Sequence, residues 1–183
     1  MSVADLLINR NTHARLVEPG PTEAELRFMI GAALRAPDHG HLRPLQLVLI
    51  EGDRRHELGK LFSNSLGLAG VTEPALLERA EKAPMRAPVI LSGLLDHKPH
   101  PKISRNEQAY SVAAALYAAQ LAAESLGFGA IWRTGSYATS AEVIRGLGGK
   151  TGDEVIGFLY LGTREGESKL LPSQLLESRF RRF

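Results

Sequence analysis

The segment that most restricts how this chain can fold begins at Ser104 and runs to Leu126 without a proline or a glycine. Ser104-Arg105-Asn106-Glu107 opens it as a capping box. In such a box the Ser hydroxyl and the Glu carboxylate each satisfy an orphan backbone N–H. Some 20 residues at about 1.5 Å per residue span ~30 Å, the width of a small domain. Seven alanines fall between residues 113 and 123. Small side chains on two faces let other elements approach closely. The helix is therefore expected at the centre of the core, and the same faces suit a seam between two copies of the chain.

Shorter elements surround it. Ser2 can cap a helix over Val3 to Ile8. Thr22-Glu23-Ala24-Glu25 is a second capping box, with Leu26, Met29, Ile30, Ala33 and Leu34 recurring at helical spacing. Pro37 ends that helix near Arg35, because proline disfavours the α region in the residue before it. Residues 45–50 and 88–95 read as apolar strands, and 130–133 and 155–161 as two more. Between the first two strands lie amphipathic stretches at 53–66 and 72–82, the latter with Pro74 in its first turn. Gly127 and Gly129 close the long helix, and Thr139-Ser140-Ala141-Glu142 reads as a third capping box for a helix to Leu147. Residues 164–183 are polar and weakly periodic. Four strands among dominant helices do not spell a Rossmann unit. The expected class is α+β, a sheet flanked by helices in one domain over 1–183.

Several function classes drop out. The chain has no cysteine, which removes disulfides, thiolate metal sites and cysteine nucleophiles. Its +2 charge is spread over 22 basic and 20 acidic residues, and only Arg179-Phe180-Arg181-Arg182-Phe183 is a dense basic cluster. No nucleic-acid partner is expected. No run of about 18 apolar residues occurs, so no membrane span is expected. The start, Met1-Ser2-Val3-Ala4-Asp5, lacks a basic region followed by an apolar one, which predicts a cytoplasmic protein.

Three segments carry candidate chemistry. Asn9-Arg10-Asn11-Thr12-His13-Ala14-Arg15 gathers guanidinium, amide and hydroxyl donors, a mix suited to a phosphate or to a polar surface loop. Arg35-Ala36-Pro37-Asp38-His39-Gly40-His41-Leu42-Arg43-Pro44 concentrates ionisable and turn-forming residues where a helix gives way to a strand. Its two histidines lack further ligands at metal-binding spacing, so no metal is expected. Gly127-Phe128-Gly129-Ala130-Ile131-Trp132-Arg133-Thr134-Gly135 lets backbone approach a flat ligand, or simply caps a helix before a core strand. It is not a dinucleotide fingerprint, since Trp stands where the last glycine belongs. No nucleophile elbow, Walker loop or zinc-protease motif occurs. That pattern suits an enzyme whose cofactor carries the chemistry.

Together, LLINRNTHARL, RAPDHGHLRPLQLVLIEG, and LGFGAIWRTG followed by GFLYLGT resemble the nitroreductase family, in particular its short bacterial YdjA-type branch. The likeness covers essentially the whole chain in order and spacing. It implies an α/β sandwich with a mixed sheet, assembled as a homodimer with two FMN sites at the interface and a C-terminal tail reaching onto the partner. It implies FMN contacts at Arg10, Asn11 and Thr12, at Arg35 and His39, and at Trp132, Arg133 and Thr134. The family motif is Arg-Arg-Ser, so Asn11 departs from a basic residue, with Arg15 close by. Leu45 replaces the family's aromatic. The implied reaction is ping-pong: NAD(P)H reduces the flavin at N5, and a small flat aromatic acceptor then takes its place. Arg35, or else Arg15, would supply the cation at the flavin N1–O2 edge. A non-catalytic FMN- or nucleotide-binding protein of the same fold is the alternative.

Overall fold

In the computed structural model, which describes residues 2–166 and 179–183, the sheet forms around β3 (Val89–Leu95). All seven residues of β3 are buried. Its position explains this: β3 pairs on one side with β2 (Leu45–Glu51) and on the other with β5 (Glu154–Arg164). A strand covered on both faces reads as a continuous apolar run rather than an alternating one. β5 also pairs with β4 (Gly129–Arg133) and with the two-residue β1 (Leu16–Val17). The main order is therefore β2-β3-β5-β4, with β4 at an edge. Every pairing among the described residues is antiparallel. The mixed sheet implied by the resemblance is not what these pairings show. β1 is the fifth strand; two residues are too short to give a periodic signal.

Helices cover both faces. α1 (Val3–Asn9), α2 (Glu23–Ala33) and α5 (Arg105–Ser125) start at the expected Ser2, Thr22 and Ser104, and all three capping boxes are formed. α5 lies on one face with α2, and its Leu116 presses onto Gly93 of β3. A Cβ at residue 93 would fall 2.9 Å from Leu116, so glycine is what lets the helix seat this closely. Ala115, Ala119, Ala122 and Ala123 are buried, which confirms α5 as a core helix. The opposite face carries α3 (Arg54–Leu68) and α4 (Pro74–Glu81), joined to β3 by a 3-10 turn at Ala83–Arg86. These two helices meet at Gly59, where a Cβ would sit 2.1 Å from the Glu81 carbonyl oxygen.

After β4 come α6 (Ser136–Thr139) and α7 (Ala141–Gly146). The third expected capping box is not formed. Thr139 ends α6 and its hydroxyl donates to the Ser136 carbonyl, while Ser140 caps α7 without a side-chain bond. The expected tail contact at 164–183 falls largely outside the described residues.

Candidate functional site

The three candidate segments settle in different places. Arg10 and Thr12 follow α1, and the Arg10 guanidinium donates to the Asn11 carbonyl at 3.0 Å and to the Thr12 hydroxyl at 3.4 Å. Asn11 turns inward and its side-chain oxygen accepts the Thr12 backbone N–H at 2.9 Å. Asn11 thus shapes the turn, while the Arg10 and Thr12 donors stay accessible. The next residue fixes the segment to the sheet: the His13 backbone N–H donates to the Ala130 carbonyl of β4 at 3.0 Å. The segment that carries Arg10 and Thr12 is thereby tied to the strand that carries Trp132 and Arg133.

His13 is buried beside two charged groups. Its Nδ1 lies 3.8 Å from Glu124 of α5, and Arg164 of β5 lies 3.6 Å from the other Glu124 oxygen. Burial pulls the His13 pKa down; Glu124 opposes this, and Arg164 and Arg10 add to it. The sign follows from linkage. A base with a depressed folded pKa leaves the unfolded chain holding more protons below its ordinary value near 6.5. The stabilisation from His13 is complete above that pH and is lost as pH falls through the lower folded pKa. Thermal melts between about pH 7 and pH 5 should show stability falling with acid, and His13→Gln should flatten that slope. An unchanged slope would remove His13 as its source.

Arg35 and the loop after it line a cavity of about 520 Å³ against Ser111 and Ala115 of α5. The loop holds an unusual backbone. Gly40 has φ of 70°, and His41 and Arg43, neither a glycine, have φ of 52°. Non-glycine residues in this region store strain, which the surrounding structure has to hold. Asp38 does part of this, accepting the Arg43 backbone N–H at 2.7 Å. His39 does not line this cavity; its Nδ1 meets Glu107 of α5 at 3.1 Å.

The third segment lies at the far edge of the sheet. Trp132 packs on Gly157, its indole filling the space where a Cβ would be. Arg133 points to the opposite face, its guanidinium 5.5 Å from the Tyr160 ring centroid. There it borders a cavity of about 650 Å³ between β4, β5 and the α3–α4 pair. Phe62 and Tyr137 stack in its wall at 4.1 Å, and Phe158 meets Phe62 edge-on. Two residues not singled out from the sequence, Arg79 and Arg86, join Arg133 in the lining, which contains no carboxylate among the described residues. On paper they are ordinary charges on and after a surface helix, and no spacing rule pairs them with a residue of β4.

The structure unites the first and third segments and separates the second. Arg35 and Leu45 belong to the β2 edge and Arg133 to the β4 edge. Three strand spacings lie between these edges, about 14 Å. Among the described residues no group of His, Asp and Glu is placed to hold a metal.

This architecture has known relatives. Residues 16–163 match the nitroreductase family. The chain is 38% identical over 163 residues to a protein of Escherichia coli (strain K12) named "Putative NAD(P)H nitroreductase YdjA", covering 89% of this chain and 88% of that one. Among solved structures, a nitroreductase-like family protein from Bacillus cereus superposes with a TM-score of 0.86 at 22% identity, covering 100% of this chain and 96% of the other. A variant of an FMN- and NADPH-dependent nitroreductase from Sphingopyxis superposes with a TM-score of 0.79 at 17% identity, covering 99% and 98%. The sequence match, carried on this fold over most of its length, shows that the chain belongs to the nitroreductase family.

Proposed function

We propose that this protein is an FMN-dependent oxidoreductase that takes electrons from NAD(P)H and passes them, in a ping-pong cycle, to a flat aromatic acceptor such as a nitroaromatic or a quinone. The observation that carries this reading is the aromatic-walled cavity between β4, β5 and the α3–α4 pair, with guanidinium groups in its lining and the Arg10–Thr12 segment tied to β4 through His13. The donor set fits FMN. Arg10 and Thr12 supply charged and neutral donors for a phosphate. The Arg133 Nε is buried without a hydrogen-bond partner among the described residues, and so has capacity for a polar ligand atom. Bound FMN supplies the two-electron chemistry, and the protein's part is orientation and electrostatics. Backbone at Trp132–Thr134 edges the ring site, and the aromatic wall excludes water from it.

The working form is a homodimer in the cytoplasm. Arg35 and His39 lie too far from β4 to share a site within one chain, so a second copy brings them to the flavin. No helix among the described residues is long and apolar enough to cross a membrane. The first test is the visible spectrum of the purified protein, followed by release of the chromophore. Yellow protein yielding about one FMN per chain supports the reading, and colourless protein that refuses added FMN overturns it. Arg10→Ala should weaken FMN binding by roughly 10- to 100-fold, since hydrogen bonds to a charged group are worth about 1.5–3 kcal/mol. Equal affinity in a flavin titration would take Arg10 out of the site.

A further inference from the structure

The lining of the β4 cavity is one-sided in charge. Among the described residues Arg79, Arg86 and Arg133 all border it, and no aspartate or glutamate does. None of the three has a carboxylate partner among the described residues, unlike Arg27, Arg54, Arg105, Arg145 and Arg164 but like Arg35, Arg43 and Arg55, and only these three share one cavity with an aromatic wall. α4 carries two acids, Glu78, which pairs with Lys82, and Glu81, and neither borders the cavity. Arg86 and Arg133 also converge: both act on the Tyr160 hydroxyl, favouring its ionised form against burial. Burial wins and holds Tyr160 at about 12, so the phenol stays a proton donor at neutral pH.

We infer that the acceptor taken by this site is a flat aromatic carboxylate, its ring against the Tyr137–Phe158 wall and its carboxylate met by Arg79, Arg86 and the Tyr160 hydroxyl. The inference rests on the flavin reading and narrows its substrate class. Like charges gathered without a counter-ion repel one another, and an anion relieves that cost while gaining charge-assisted bonds. A guanidinium offers a planar fork that suits carboxylate geometry. The phosphate of the cofactor has its own donors at Arg10 and Thr12, which leaves this cluster for a different anion. The aromatic wall selects for a ring, because stacked and edge-on contacts favour flat ligands.

The flavin-loaded protein is titrated calorimetrically with 4-nitrobenzoate and with its neutral isostere, 4-nitrobenzamide. The acid is expected to bind at least about tenfold tighter, the change one charge-assisted hydrogen bond supplies. In Arg79→Gln and Arg86→Gln that ratio should fall toward unity, with FMN still bound. Equal affinities in the unaltered protein overturn the inference. Release of FMN from both variants also overturns it, by giving the guanidiniums to the cofactor. Protein that carries no FMN overturns the flavin reading separately, and the same titration then still decides the preference for the anion.

Discussion

Truncation of Phe158 to alanine is expected to lower the unfolding free energy by about 3–5 kcal/mol. Phe158 is 1% exposed, pairs across to Arg133 of β4 and Ser92 of β3, and meets Phe62 edge-on at 5.2 Å. Its removal takes one ring from the floor on which α3 and β4 both rest. A domain of ordinary stability has about 5–15 kcal/mol in total, so the variant should melt far earlier. Urea unfolding followed by circular dichroism measures the loss. The neighbouring cavity makes the outcome informative. A truncation sealed inside the core leaves a void that keeps its full cost. A truncation that opens into the existing space lets water in and costs less. A loss below about 1 kcal/mol would therefore mean that Phe158 belongs to the site rather than to the core.

The difference between what could and could not be read beforehand follows the range of the interactions. The boxes at Ser2, Thr22 and Ser104 form between residues three apart, so the sequence displays them whole. The misreading at Thr139 has a local cause: α6 ends there, and the Thr hydroxyl turns back to Ser136. The strands were legible because β3 and the middle of β5 are mostly apolar, whereas β1 exists only through its two-residue pairing with β5. Arg10, Thr12 and Trp132–Thr134 were singled out through the segments that carry them, and the fold ties those segments together at His13 and Ala130. Asn11 was read as an altered phosphate ligand, and the fold gives its side chain a turn to hold. Arg79 and Arg86 were illegible, since only the tertiary fold brings α4 and the turn after it to the same cavity as Arg133. The left-handed backbone at His41 and Arg43 left no trace either, because neither residue is a glycine.

Tyr110→Glu is expected to turn the proposed homodimer into a monomer and to remove FMN with it. Tyr110 is 68% exposed on α5, in line with Ala114, Tyr117 and Leu121 at helical spacing. This apolar stripe faces away from the sheet, while Ala115, Ala119 and Ala123 face into the core. On α1, Val3, Leu7 and Ile8 are also exposed. Such a surface costs free energy in water and fits an interface between copies of the chain. A glutamate at an exposed position of a helix leaves the single chain intact, since surface changes of this kind usually shift stability by only about 0.5 kcal/mol. In a symmetric seam the same change places two carboxylates in a drying interface, where each must lose water without a partner. Light scattering after gel filtration reads the mass, and the visible spectrum reads the flavin. Loss of both together supports a site completed across the interface, with Arg35 and His39 delivered by the second copy. A monomer that keeps FMN at unchanged affinity would show that Arg10, Thr12 and the β4 edge suffice, and Arg35 would then have no part in holding the cofactor.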